Sequence, residues 1–366
     1  MNKNLCLALS GGGVRAMAFH AGVLQYFAEQ NALERISKIS TVSGGSLLAG
    51  LIYKENNYKW PESNQYLGDT FYKIRNILTT KNLQLAALGK FLNPCNWQYL
   101  LSRANVLAQA IATTWDINVK LSDIPTTPEW SINGTTAENG RRFRFKNDTC
   151  GDYMLGYAAA SKFQLAQALA MSAAFPGGIG PLVINTRDFE WKKRPTWGSP
   201  IGSEKPVILP FKKLHLYDGG VYDNLGNEPF FDSGENKPKD KADVIFISDA
   251  GSPLQIQKHG KSINPFRIIR IVDITMEQCR ALRLRSFMDY LNNNKGIGGF
   301  IEIGSLPADI VPLDQFIKTD WQSDLEIRNA ASYSTTLTQM TECDFDLIAR
   351  HGYEATKAVN QQRGCL

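Results

Sequence analysis

The chain has 366 residues, 43 % of them hydrophobic and 20 % charged, a balance that fills a substantial core and excludes a disordered or fibrous protein. Its formal charge of +5 is too small to demand a polyanionic partner. With no long basic run, zinc-finger spacing or recognition-helix pattern, the sequence argues against nucleic acid. Six cysteines, Cys6, Cys95, Cys150, Cys279, Cys343 and Cys365, lie far apart with no C-x-x-C pair, which argues against a structural metal or a disulfide framework.

The first apolar run, Leu5 to Ser10, ends in three glycines and predicts a buried strand. It is too short for a signal h-region, and no run approaches the roughly 20 residues that span a bilayer, so the expected location is cytoplasmic, with peripheral membrane contact allowed. Residues 15 to 29 follow with helical spacing: Ala16, Phe19, Val23, Leu24 and Phe27 share one face, with Gln25 and Glu29 opposite. Ile36 to Val42 predicts a second strand, and Leu47 to Tyr53 a second helix. This alternation argues for a layered α/β fold with parallel strands.

Residues 60 to 118 are aromatic and helical in pattern, and predict a helical insertion over the sheet. Phe143 to Phe145 suits a strand. Lys162 to Ala173 suits a helix stopped by Phe175-Pro176-Gly177-Gly178. Residues 187 to 213 predict a long loop, Leu214 to Tyr217 and Val244 to Ser248 two strands. A helical region over about 265 to 366, including Arg267 to Tyr290 and Phe345 to Val359, completes a single domain spanning residues 1 to 366.

Three short segments carry chemistry. Gly11-Gly12-Gly13-Val14-Arg15 places glycines between a strand and a helix, where exposed backbone N–H groups can hold a developing oxyanion and Arg15 adds a fixed positive charge. The same residues fit the dinucleotide pattern G-x-G-x-x-A, but Ser40, Thr41 and Ser43 stand where that pattern wants a ribose-binding acid. Thr41-Val42-Ser43-Gly44-Gly45 approximates the strand-to-helix elbow G-x-S-x-G that exposes a serine nucleophile. Thr41 replaces the first glycine, which predicts a slightly opened elbow. Asp218-Gly219-Gly220-Val221-Tyr222-Asp223-Asn224 ends a strand with a carboxylate. In a parallel sheet all three segments would meet at the carboxyl edge.

A triad would need histidine, and only His20, His215, His259 and His351 exist. His20 falls among apolar residues on a helix face. His215 and Asp218 point to opposite faces of a regular strand, and neither His259 nor His351 has a motif around it. A Ser43–Asp218 dyad fits this residue set better.

Taken in order, S-G-G-G-V-R from Ser10, the elbow at Ser43 and D-G-G-V-Y-D-N-L from Asp218 resemble the patatin-like phospholipase family, over about Leu5 to Asn227. Met171 to Pro176 is similar to the family's helix before its central loop. The resemblance implies a three-layer α/β/α fold with a mostly parallel central sheet. It also implies a serine acyl hydrolase that cleaves fatty acids from phospholipids or lysophospholipids through an acyl-enzyme. Ser43 would be its nucleophile, Asp218 its base, and Gly12, Gly13 and Arg15 its oxyanion hole, with no cofactor and no metal. The expected partners are an acyl-ester substrate and, transiently, a membrane surface.

Phe189 to Trp197 mixes aromatics with a basic run, as an interfacial anchor would, although a loop packed on the body gives the same pattern. The five arginines over 267 to 285 spread around the helix axis, and Asp273 and Glu277 stand three residues from Arg270 and Arg280, so ion pairs explain them. A dinucleotide-binding protein and a regulated effector or pseudoenzyme of the same fold are the alternatives, the insertion serving as a lid in the latter.

Overall fold

In the computed structural model, residues 4–366 are described except positions 197, 201, 240–241, 252, 255, 257–266, 312–315 and 317–319. Strand β1 (Leu5–Leu9) leads into helix α1 (Gly13–Glu29), and β2 (Ile36–Thr41) into α2 (Gly44–Glu55). The insertion supplies α3 (Phe71–Thr80), α4 (Leu83–Gly89) and α5 (Ala104–Thr114). Then come β3 (Glu129–Thr136), β4 (Arg141–Lys146), β5 (Thr149–Asp152), β6 (Gly156–Ala159), α6 (Leu165–Ser172), β7 (Leu182–Asn185) and β8 (Lys213–Asp218). A one-turn helix α7 (Gly220–Asp223), β9 (Val244–Asp249), α8 (Arg267–Asn293), β10 (Gly298–Glu302), α9 (Asp324–Ser332) and α10 (Glu342–Arg363) complete the chain.

Alternation along the buried central strands sets the layers. Leu5, Leu7 and Leu9 of β1, with Val244 and Phe246 of β9, join the core that contains α1, α2 and α10. Cys6, Ala8, Ile245 and Ile247 meet Phe287 and Leu291 of α8 on the opposite face. The expected three-layer α/β/α architecture forms.

The sheet is mixed. Strands β10, β9, β1, β2 and β3 are parallel neighbours in that order, which makes the sheet mostly parallel where helices cover it. Beyond β3 the pairing with β4, β5 and β6 is antiparallel. The connections dictate this: residues 137–140 and 147–148 are too short for a crossover, and Gly140 (φ 66°) and Asn147 (φ 50°) take the left-handed turn conformations of hairpins. Within the region expected to be helical, β10 adds an edge strand. Its opening Gly298-Gly299 carries no side chains from which a period of two could be read.

The insertion is helical, as its pattern predicts. The anchor reading of Phe189 to Trp197 does not hold for the described residues. Phe189 stacks on Phe163 with ring centroids 4.7 Å apart, and Trp191 is buried with its indole donating to the Thr186 carbonyl at 2.9 Å. Trp197 lies outside the described residues. Ion pairs hold two of the arginines of α8: Arg280 bonds Asp249, the expected Glu277 (3.1 Å) and Glu302, and Arg283 bonds Glu228 at 2.6 Å. Among the described residues no helix is long and apolar enough to cross a membrane.

Helix α1 is buried almost all round, leaving only Gln25 and Glu29 partly open. Its outer cover is α10, and the two backbones approach so closely that a methyl on Gly22 would overlap the Ala349 carbonyl and one on Gly352 the Phe19 carbonyl. Helix propensity alone would favour alanine at Gly352 by about 1 kcal/mol. Overpacking typically costs about 1–3 kcal/mol, more where a backbone must move. Gly352→Ala should therefore lower stability by about 2 kcal/mol in denaturant unfolding; an unchanged or raised midpoint would show that the helices separate freely.

Candidate active site

Strand β2 ends at Thr41, and Ser43 turns the chain into α2 with φ 49° and ψ −117°, a conformation that a side-chain-bearing residue holds only under constraint. Such strain is worth on the order of 1–3 kcal/mol. Backbone bonds hold the turn: Val42 N–H donates to the Leu9 carbonyl (3.0 Å), and Gly45 N–H reaches the carbonyls of Val42 (2.9 Å) and Ser10 (3.2 Å). A chain of hydroxyls completes the restraint. Ser43 N–H donates to Ser172 Oγ (3.0 Å), and the Ser172 hydroxyl donates to the Asn133 carbonyl (2.7 Å). Ser46 Oγ lies 2.7 Å from Ser172 Oγ and 2.8 Å from Thr41 Oγ1, which also accepts the Trp130 indole N–H at 2.9 Å. The threonine that departs from the elbow pattern is thus a buried, fully partnered strut. Ser46, the competing hydroxyl, is committed to the same chain and buried.

Asp218 arrives by an unexpected route. Its strand β8 runs antiparallel to β3, with Asp218 opposite Gly134, and descends onto the carboxyl edge of β2 from beyond the sheet. Strand β7 also pairs antiparallel with β8, over Lys213 to Leu216. The carboxylate accepts the Gly220 N–H at 2.7 Å and shares one cavity wall with Ser43, whose hydroxyl favours its charged form. Burial raises its pKa from 3.8 to about 7, the Gly220 hydrogen bond and the Ser43 hydroxyl opposing the shift.

The glycine turn lies across from this pair. Gly12 (φ 146°) and Gly13 (φ 62°) take conformations closed to most side chains, and no described residue accepts from their N–H groups. They open α1, whose next N–H, that of Val14, donates to the Thr336 carbonyl at 2.9 Å. The Arg15 guanidinium is buried and donates to the carbonyls of Ala250 (2.9 and 3.2 Å) and Tyr333 (2.6 Å). Burial lowers its pKa to about 10, so it is charged at neutral pH, close to Gly12 but anchored to backbone. Dinucleotide binding finds no support here: β2 offers no acid, and the Thr336 backbone crowds Gly13.

Gly12, Gly13, Arg15, Ser43 and Asp218 all line one cavity of about 660 Å³. Its far wall is apolar, built by Leu88, Phe91 and Leu107 from the insertion, Phe175 and Ile179 from the loop after α6, and Leu337. Arg270, Asp273 and Glu277 of α8 give it a charged margin. No described imidazole lines it. His20 Nε2 donates to the Ser10 carbonyl (3.0 Å) and Nδ1 accepts from Ser248 Oγ (2.8 Å), a neutral tautomer whose pKa burial lowers to about 4. His215 contacts Glu138 at 2.7 Å on the other face of β8, and His351 is buried, accepting from Gly304 N–H at 2.8 Å. His259 lies outside the described residues. No three His, Cys, Asp or Glu side chains among the described residues converge as metal ligands would.

Comparison with known families assigns residues 7–231 to the patatin-like phospholipase model, more than half of the chain. The chain belongs to the patatin-like phospholipase family. Among solved structures, this patatin-like chain resembles human GIVD cytosolic phospholipase A2, with 14 % identity over 99 % of this chain and 60 % of that one, and a TM-score of 0.52. The same human protein in complex with methyl gamma-linolenyl fluorophosphonate gives a TM-score of 0.55 at 13 % identity, covering 99 % and 58 %. These likenesses support the fold, and the chain spans about 60 % of that enzyme's length. VipD from Legionella pneumophila also matches, at 13 % identity over 99 % of this chain and 67 % of that one, with a TM-score of 0.36. A search of curated proteins finds no match to this sequence.

Within the patatin-like fold, the three segments named from sequence converge, and several residues join them that no motif marked. Ser172, Asn133 and Trp130 brace the elbow from β3 and α6. Tyr333 and Thr336 seal the glycine turn from a loop over three hundred residues away in the chain. Asn224 was visible in the Asp218 segment without a role. Its amide oxygen sits where a β-carbon on either Gly11 or Gly220 would fall, 2.6 and 2.7 Å away, beside Ser43 in the cavity.

Ser172→Ala would leave the Ser43 N–H and the Asn133 carbonyl without partners, at about 1–3 kcal/mol for each buried group. Thermal melting should show a destabilised fold, and the Ser43 hydroxyl should react more slowly with an active-site phosphonate in protein that is still folded. Unchanged reactivity would mean that the backbone bonds alone hold the elbow.

Proposed function

We propose that this chain is a serine acyl hydrolase that cleaves ester-linked fatty acids from phospholipids or lysophospholipids, with Ser43 as nucleophile and Asp218 as base. One observation carries the reading: a strained Ser43 and a buried carboxylate whose pKa lies near 7 line the same largely apolar cavity. A carboxylate with an ordinary pKa is a poor base for a hydroxyl. Raising it towards neutrality improves the driving force for proton transfer at working pH.

Ionised Asp218 accepts the Ser43 proton as Oγ attacks the ester carbonyl. The tetrahedral oxyanion forms before the N–H groups of Gly12 and Gly13, where the N-terminus of α1 and the Arg15 charge favour negative charge. Asp218 returns the proton to the departing lysolipid or glycerol oxygen, leaving the acyl chain on Ser43. Water then gives a proton to Asp218 and attacks the acyl-enzyme, and Asp218 passes that proton to Ser43 Oγ as the fatty acid leaves, restoring the serine and the ionised base. The apolar wall accommodates the chain of the acyl group, and the family's name agrees with a lipid substrate.

Fatty-acid release from phosphatidylcholine and lysophosphatidylcholine, followed across pH, tests the base. The reaction needs Asp218 ionised, so kcat/KM should rise about tenfold per pH unit below about 7 and level off above it. Asp218→Asn, which keeps the shape, should reduce turnover on the order of 10²–10⁴-fold. A profile flat from pH 5 to 9, or an active Asn variant, would remove Asp218 from the role.

A further inference from the structure

The apolar wall of the cavity continues onto the outer surface of the insertion. Leu85 (62 % exposed), Leu88 (54 %), Leu92 (89 %), Trp97 (59 %), Leu100 (55 %) and Leu101 (90 %) crowd one short segment. Single exposed leucines are ordinary, but so many large apolar side chains exposed within one short segment mark a contact site. Leu88 belongs both to this segment and to the cavity lining, which joins the two through an apolar side chain.

A second apolar lip faces it. Ile271 (58 % exposed) and Ile274 (41 %) project from α8, the helix whose Arg270, Asp273 and Met276 line the cavity. The loop 175–180 ties the lips together: Ile269 of α8 lies against Gly177, the Leu101 carbonyl lies near Gly180, and Arg103 Nη1 donates to the Gly178 carbonyl at 3.3 Å. The mouth leading to Ser43 is therefore rimmed on two sides by exposed aliphatic side chains.

Charge narrows the choice of partner. Residues 70–115 contain Lys73, Arg75, Lys81, Lys90 and Arg103 and no Asp or Glu. Lys73 and Arg75 are paired with Asp69 and Asp346, whereas Lys81, Lys90 and Arg103 flank the exposed leucines. On this first lip aliphatic and aromatic side chains interleave with cations and no carboxylate, which suits the boundary between acyl chains and anionic head groups, while on the second Asp273 stands beside Arg270.

We propose that the two lips, residues 85–101 and Ile271 with Ile274, dock on an anionic phospholipid bilayer with the cavity mouth against the membrane. An acyl chain would then pass from the bilayer along Leu88 and Phe91 to Ser43 without crossing water. The choice of a lipid partner rests on the acyl-hydrolase reading, and this surface replaces the 189–197 loop as the point of membrane contact.

The test uses the full chain carrying Ser43→Ala, so that no lipid is consumed, with and without Leu92→Asp and Leu101→Asp. Both leucines are exposed and lie outside the cavity lining, so the fold should tolerate the change. Co-sedimentation with vesicles of phosphatidylcholine and phosphatidylglycerol in equal parts should show binding that weakens with salt and drops at least tenfold in the double Asp variant. With Ser43 intact, the double variant should keep its rate on a short-chain, water-soluble ester. Vesicle binding within twofold of the parent would overturn the proposal. So would loss of the soluble-ester reaction together with binding, or self-association that the substitutions abolish while vesicle binding persists. Vesicle binding by a chain that hydrolyses nothing would retain the docking surface and reject the hydrolase. Soluble-ester turnover with unaltered vesicle binding would do the reverse.

Discussion

A carboxylate without a neighbouring cation lies at the centre of this structure. Asp218 is 3 % exposed, and only the Gly220 N–H and the Ser43 hydroxyl ease its ionisation. Because its folded pKa of about 7 exceeds the unfolded 3.8, the neutral form stabilises the fold below about pH 4, and that contribution is lost as pH rises through 7. The difference amounts to roughly 4 kcal/mol, a large fraction of an ordinary domain's net stability. The parallel sheet and the close α1–α10 contact hold the fold against this loss.

Ser43 adds a second strained element at the same point, and the two depend on each other. The elbow presents the hydroxyl that the carboxylate needs, and the descent of β8 past β3 carries the carboxylate to the elbow. Ser172 joins them physically. Its oxygen receives the Ser43 N–H, its own proton goes to the Asn133 carbonyl, and its backbone carbonyl receives the Gly219 N–H at 3.4 Å, one residue after Asp218. The loop carrying Tyr333 and Thr336 performs a similar service for the glycine turn. Residues well beyond the family-matched segment thus shape the mouth of the site.

The parts legible in the sequence were those whose chemistry is local. Glycines between a strand and a helix, a serine before two glycines, and an aspartate before two more each announce a turn, and their order identified the family. The bracing residues could not be read this way. Ser172 lies in a small-residue helix and Thr336 in a polar loop, and each acquires meaning only when another element arrives beside it. The antiparallel course of β8 escaped for the same reason, since pairing direction depends on where β3 ends rather than on the residues of β8. Trp191 fitted an anchor and a packed loop alike, because composition does not reveal which face of a loop meets the body. Conversely, the helical pattern over 60 to 118 does not reveal that Leu85, Leu92 and Leu101 stay exposed.

The central claim is that Ser43 is an activated nucleophile, and a fluorophosphonate with a long acyl chain addresses it directly. Intact mass and peptide mapping of the reacted wild-type chain, beside Ser43→Ala, give the answer. One adduct per chain, located on Ser43 and absent from the variant, is the predicted result. An adduct on another residue, or equal labelling of the variant, would contradict the account.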